Sequence, residues 1–193
     1  TLIRSVYKGK FNSDLCVNSD KFILSFQAGA FKSDDLQSGN ADIRNISIDI
    51  SSVGDSIQPG EKFQESESSV DLSQADVIVS VGRGIGKEEN LPIAKELAEV
   101  LKGQIASSRP VVDSGWLEPY HQIGSSGQTV APKLYLALGI SGAIQHVVGM
   151  KNSKKIVVIN KDANAPLFEI ADYGIVGDIF EIVPKLILAI QNR

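Results

Sequence analysis

Residues 139–150, GISGAIQHVVGM, set small residues and a histidine directly behind the apolar run Leu134–Leu138. A strand ending at Gly139 and a helix opening around Ser141 would aim unpaired backbone N–H groups, and the positive end of the helix dipole, at an anion. Ser141, Gly142 and Ala143 are small enough to let a phosphate approach the main chain. His146 lies one helical turn beyond Gly142, so its imidazole leans back toward the same mouth. The chemistry on offer is an anion cradle with one titratable donor. The plainer alternative for His146 is a hydrogen-bonded histidine on a buried face.

Other residues suit the same chemistry. Gly82, Gly84 and Gly86 follow an apolar run in VGRGIG, where a nucleotide loop would stand. Their third glycine comes one residue too early for GxGxxG, and a Walker loop would need glycine at Val81 and a hydroxyl residue at Glu88. Without either signature, these glycines serve a tight turn, and Arg83 within it offers a guanidinium fork to phosphate oxygens. Arg109 follows a strand in SSRP, and Pro110 places it in an ordered loop, facing a ligand or making a surface salt bridge. The loop QIGSSGQTVAP, residues 122–132, gathers Gln122, Gly124, Ser125, Ser126 and Thr129. Such a loop wraps a polar heterocycle or is a solvated linker. Asp178 stands before an apolar helical pattern as an N-cap, and it could also face a ribose. Asn160-Lys161-Asp162 lacks the spacer of the guanine-binding NKxD motif. GxSxG, HExxH and EF-hand loops are absent, as is any paired Cys/His nucleophile. Donors for phosphate and heterocycle without an acid and base point to a bound cofactor that supplies the chemistry.

These residues need a sheet to bring them together. From Ala75 onward, five apolar runs occur (DVIVSVG, QIASSRPVV, KLYLALG, KKIVVIN and YGIVG), most followed by a helical pattern. ENLPIAKELAEVLKG is the clearest helix, with Pro92 in its first turn and Gly103 just past its end. This reads as an α/β fold, a doubly wound parallel sheet with helices on both faces. Before residue 72, VYKGKF, FILSFQ and IRNISIDIS read as strands of a mostly β segment, and residues 58–74 read as a polar connection. The expected division is 1–72 for that segment with its linker and 73–193 for the α/β domain.

Composition narrows the partners. Among 193 residues, 19 basic and 23 acidic side chains leave a net charge of −4, which argues against a nucleic-acid surface. One cysteine and two histidines disfavour a disulfide or a protein-only metal centre. No apolar run approaches the ~20 residues of a membrane span, and the opening TLIRSVYKGK has no secretory core. The absence of an initiator Met suggests a processed chain or a fragment.

Taken together, VGRGIG, SRPVVDSGW, QIGSSGQTVAPKLYLALGISGAIQHVVGM, INKDANAPLFEIADYGIVGD and the closing helix resemble the FAD domain of electron transfer flavoprotein alpha subunits. The resemblance is collinear from about Ala75 to Leu188. It implies that residues 1 to about 70 are the last part of that family's N-terminal domain. It further implies noncovalent FAD, a heterodimer with a beta subunit that carries AMP, and electron transfer from flavoprotein dehydrogenases to a membrane quinone oxidoreductase. Such a protein is a redox carrier rather than an enzyme, in the cytoplasm of a bacterium or the mitochondrial matrix of a eukaryote, with no membrane insertion. The implied FAD contacts are Arg83, Ser108, Gln122, Ile123, Gly124, Ser125, Ser126, Ser141, Gly142, Ala143, Ile144, Gln145, His146, Asn160, Asp178 and Ile179, with Arg109 beside the flavin ring. Ser126 stands where many members have a threonine that donates to flavin N5, so the hydroxyl is retained and the methyl lost. On this reading Arg109 and His146 favour the added negative charge of a reduced flavin. The alternatives are an NAD(P)-binding domain of a dehydrogenase-type enzyme, weakened by the missing GxGxxG, and a structural fragment without cofactor.

Overall fold

The computed structural model describes residues 2–7, 11–26, 31, 37–40, 42–47 and 71–192. The chain divides into two compact units, residues 1–30 with 70–193 and residues 31–69. Near the start, β1 (Leu2–Val6) and β2 (Phe11–Leu15) form an antiparallel pair with Leu2 opposite Leu15 and Val6 opposite Phe11. FILSFQ and IRNISIDIS do not follow the strand expectation where they are described. Residues 22–26 and 43–47 form no strand, and the ends of both runs lie outside the described residues. Apolar spacing proposes a strand, but only a hydrogen-bonding neighbour makes one. Most of the connection read at 58–74 also lies outside them, and its last residues form a 3₁₀ turn, Leu72–Gln74.

The five apolar runs after Ala75 form one parallel sheet: β3 (Val77–Val81), β4 (Gln104–Ser107), β5 (Leu134–Leu138), β6 (Ile156–Asn160) and β7 (Tyr173–Val176). The strand order is β4-β3-β5-β6-β7. Four helices accompany them: α1 (Leu91–Val100), α2 (Arg109–Asp113), α3 (Ile144–Met150) and α4 (Ile179–Gln191). The continuous apolar runs of β3, β5 and β6 are explained by burial on both faces, whereas the edge strand β7 is exposed. Val79, Val81, Leu136 and Leu138 pack with Leu91, Leu97, Val183 and Ile187 from α1 and α4. Ile78, Tyr135, Ala137 and Val158 face the other way, onto Ile123, Met150, Leu167 and Leu72. Each fully buried Val, Leu or Ile contributes about 1.5–3 kcal/mol by leaving water, so both layers are needed to hold the sheet.

Local signals set the helix ends, sometimes in unexpected ways. In α1 the buried positions Leu91, Ala94, Leu97 and Ala98 repeat at helical spacing behind Pro92. It is Lys102, at φ 53°, that turns the chain out of the helix. Gly103 is instead needed for space, since a Cβ there would stand 2.7 Å from the Val77 carbonyl oxygen. APLFEIA, expected as a helix, is the 3₁₀ stretch Pro166–Ile170. The second half of QIASSRPVV is helical rather than strand, because Ser108 stands as the N-cap residue and Pro110 falls in the first turn, where its missing N–H costs nothing.

The chain leaves β3 toward β4 on one side of the sheet, and the later strands are added on the other. This order opens a crevice at the carboxyl ends of β3 and β5, the switch point where open α/β sheets take their ligands.

Candidate functional site

The switch point holds a cavity of about 730 Å³, well within the range of cofactor pockets. Five segments wall it. Arg83 and Gly84 come from the turn after β3, and Ser108, Arg109 and Pro110 from the end of β4 and the start of α2. Residues 122–126 form a third wall. Gly139, Ile140, Ser141, Gly142 and Ala143 follow β5, with Gln145 and His146 from α3, and Asn160 and Asp162 close the side beyond β6.

The turn after β5 is the most informative wall. Gly142 adopts φ +97°, a left-handed conformation that no helix interior accepts, so α3 opens at Ile144 and not at Ser141 as expected. The turn is clasped from below, where the Leu167 amide donates to the Ser141 carbonyl at 3.0 Å. Among the described residues, the amides of Ser141, Gly142, Ala143, Ile144 and Gln145 donate to no protein acceptor. Four of these free N–H groups belong to residues that line the cavity, Ser141, Gly142, Ala143 and Gln145, and make a donor set for an anion.

The glycines of VGRGIG do a different job from phosphate binding. Gly84 donates its amide to the Gly139 carbonyl at 3.0 Å, and a Cβ on Gly84 would stand 2.7 Å from the Gly139 Cα. Two strand-end turns thus meet backbone to backbone and form the cavity floor. Arg83, between them, is exposed and forms no ion pair among the described residues. Its charge is available to an anion.

Arg109 is the first residue of α2 and not part of a loop, which corrects the reading from Pro110. Its Nε pairs with Asp113 at 3.2 Å, both side chains exposed, so the salt bridge and the cavity-facing position occur together.

Residues 122–128 are ordered rather than a solvated linker. Ile123 donates to Ser107 at 2.9 Å, Gln128 donates to Gln122 at 2.8 Å, and Ser125 donates to the Gln145 carbonyl at 2.7 Å. The Gln122 side-chain amide donates to Ser126 Oγ at 2.9 Å. Ser125 and Ser126 therefore stand at fixed places on the wall.

His146 is buried, and both ring nitrogens are occupied. Nδ1 lies 3.1 Å from the Ile123 carbonyl oxygen and Nε2 lies 2.8 Å from the Tyr135 hydroxyl. Burial holds its imidazole down to about 4, so it is neutral near pH 7. This corrects the expectation of a titratable donor aimed into the cavity: His146 lines the wall, with its polar atoms used inside it. The depressed value makes stability depend on pH. Between about pH 6.5 and 4 the unfolded chain takes up a proton that the folded protein refuses, so stability is full above that window and is lost as pH falls through it. The expected loss is about 2–3 kcal/mol between pH 7 and 4.5, with His121, also lowered by burial, acting in the same direction. Urea midpoints at the two pH values measure it, and His146→Asn should flatten the dependence.

Asn160 reaches the cavity as a tether. Its amide donates to the Ile140 carbonyl at 3.0 Å and its Oδ1 accepts from the Asp162 amide at 3.1 Å, which joins the walls after β5 and β6. Asn160→Ala should cost about 1–2 kcal/mol, read as a shifted denaturation midpoint.

Three expected residues lie outside the cavity. Ile144 points to solvent at 71% exposure. Asp178 and Ile179 follow the edge strand β7, which is two strands from β5 and so about 10 Å beyond the switch point. The Asp178 carboxylate caps α4 by accepting from the Phe180 amide at 2.8 Å and pairs with Lys161 at 2.8 Å. These two partners, Lys161 first, hold its carboxyl below the usual range. Conversely, Gly84, Pro110, Gly139, Ile140 and Asp162 line the cavity without having been singled out as ligands. Four are small or apolar residues that carry no chemical signal, and Asp162 follows a strand end in a position the sheet order alone would have marked.

Comparison with known proteins agrees with this geometry. Residues 71–151 match the electron transfer flavoprotein FAD-binding domain. An electron transfer flavoprotein alpha subunit from Thermoanaerobacterium thermosaccharolyticum is 55% identical over 129 residues, which is 67% of this chain and 39% of the relative. The alpha subunit from Mycobacterium leprae is 39% identical over 196 residues, covering 99% of this chain and 60% of the relative. The mitochondrial alpha subunit from Arabidopsis thaliana is 40% identical over 187 residues, covering 97% and 51%. The chain thus spans between two fifths and three fifths of the length of these curated relatives.

Proposed function

Because the chain belongs to the electron transfer flavoprotein alpha-subunit family, we propose that its cavity holds FAD noncovalently and that the protein passes single electrons. The run of five free amides at the switch point, with two arginines beside it, carries this reading. The residues present fit such a group. The amides of 141–145 and Arg83 would take the negatively charged diphosphate, and the hydroxyls of Ser125 and Ser126 together with Arg109 would take the ring. Ser108 and the Asp162 carboxylate would take sugar-chain hydroxyls, for which a carboxylate is a good acceptor and a phosphate a poor neighbour.

FAD, when bound, supplies the electron storage. The chain's own part is to bind, orient and tune. A fixed cation at Arg109 favours added negative charge close by, and the buried wall formed by His146, Ile123 and Ile140 excludes water from one side.

On this reading residues 73–193 are the FAD-binding domain and 1–72 belong to a preceding domain. The working protein is an alpha subunit beside a beta subunit that carries AMP. It accepts electrons from flavoprotein dehydrogenases and delivers them to a membrane quinone oxidoreductase, in a bacterial cytoplasm or a mitochondrial matrix. Among the described residues no helix is long and apolar enough to cross a membrane. The NAD(P) alternative finds no support in the turn after β3, where Gly82 and Gly84 are taken up by packing on Gly139.

An anaerobic titration with a one-electron viologen donor tests the carrier role. The expected result is complete bleaching at two electrons per FAD and full return on adding a one-electron acceptor. A requirement for nicotinamide, or bleaching that does not reverse, would contradict it.

A further inference from the structure

Tyr135 is fully buried on β5 and does not line the cavity, yet its hydroxyl is joined to the cavity wall through one side chain. The chain of atoms fixes its own protons. The Ile123 carbonyl only accepts, so His146 Nδ1, 3.1 Å away, carries hydrogen. A neutral imidazole then presents Nε2 as an acceptor, and the Tyr135 hydroxyl at 2.8 Å donates to it. Burial pushes the Tyr135 phenol up, out of the range where it would lose its proton.

We propose that Tyr135 is a positioning residue for the cofactor site: by donating to His146 Nε2 it fixes the ring whose Nδ1 proton goes to the Ile123 carbonyl, and so holds the Ile123–Ser126 wall against α3. The inference rests on the FAD reading, because that wall carries the hydroxyls offered to the ring.

The wall has few other attachments to α3. Ser125 donates to Gln145 at 2.7 Å, and Gly124 and Gly149 approach so closely that a Cβ on Gly149 would stand 2.5 Å from the Gly124 nitrogen. That close approach holds only while the wall stays seated. The His146 bond to Ile123 is the one side-chain bond across this seam among the described residues, and the ring that makes it is held from the opposite side by Tyr135. Without the Tyr135 hydroxyl, Nε2 is left a buried acceptor with no donor, and the ring loses the bond that holds it in place while Nδ1 donates to Ile123.

Two measurements on the purified protein test this. Nitrogen-15 NMR of the imidazole should show Nδ1 protonated in both proteins, with the resonance of the bare Nε2 moved downfield in Tyr135→Phe by the loss of its donor. The FAD dissociation constant of Tyr135→Phe should rise about three- to tenfold, the equivalent of one lost buried hydrogen bond. Two substitutions of the histidine separate the arms. An asparagine amide nitrogen stands near the place of Nδ1, and a glutamine amide near that of Nε2. His146→Asn, which keeps a donor for Ile123, should retain FAD better than His146→Gln, which keeps only a partner for Tyr135. The proposal is overturned if the wild-type proton sits on Nε2, if Tyr135→Phe changes neither the Nε2 resonance nor FAD release, or if the glutamine variant holds FAD as well as the asparagine variant. A wild type that takes up no FAD overturns the cofactor reading and the proposal with it, whereas the other outcomes overturn the proposal alone.

Discussion

Gly142→Val should strip the protein of FAD and lower its stability by at least ~3 kcal/mol. Two independent costs add at this residue. Gly142 has φ +97°, where a β-branched side chain is strongly disfavoured, and a Cβ would stand 2.5 Å from the Leu167 nitrogen and 2.8 Å from its Cα. That neighbour is backbone, held by its own hydrogen bond to Ser141, so it cannot swing aside. The turn must open, and the five free amides lose the turn that presents them. Thermal unfolding should move down by roughly 6 °C or more, and FAD affinity should fall more than tenfold. Ala143→Ser is the control: its backbone is ordinary at φ −55° and its side chain is exposed, so stability should stay within about 0.5 kcal/mol. Equal behaviour of the two variants would contradict the role given to Gly142.

Arg109→Ala should lower the flavin midpoint potential by about 30–60 mV while leaving stability nearly unchanged. The sign follows from charge. A cation beside the ring favours the form that has gained negative charge, so its removal makes reduction harder. Stability is spared because the pair with Asp113 is exposed on both sides, and such surface pairs contribute little. The Nε is engaged there, yet the two terminal nitrogens of the guanidinium make no further ion pair among the described residues and are available to the cavity. Arg109→Lys keeps the charge and should recover most of the potential. A potential unmoved in the alanine variant would remove Arg109 from the tuning role.

The sheet was legible because its inner strands β3, β5 and β6 are buried on both faces and therefore written as continuous apolar runs, while the edge strand β7 is exposed and shows only the short run Tyr173–Val176. The walls of the site were legible where small residues, hydroxyls and cations gather just after those runs. What could not be read was set by tertiary space. Nothing local to IQHVV says that His146 would meet both a tyrosine on β5 and a carbonyl twenty-three residues upstream. Equally, the spacing of VGRGIG cannot tell glycines that cradle a ligand from glycines that let two turns of one protein touch. Asp178 has the right residue type at a strand end, but the edge position of β7 sets it beyond the lining of the cavity at β3 and β5, and position in a sheet follows from strand order. The left-handed Gly142 moved the start of α3 by three residues, which also changed the donors from a helix end to an open turn.

The central claim is that this cavity takes FAD, and the visible absorption spectrum of the purified protein, with the released cofactor identified, tests it most directly. Flavin bands and recovery of FAD near one per chain are expected. A protein that releases FMN would contradict the assignment of a diphosphate to the amides of 141–145, and a colourless protein that takes up no FAD on incubation would contradict the account as a whole.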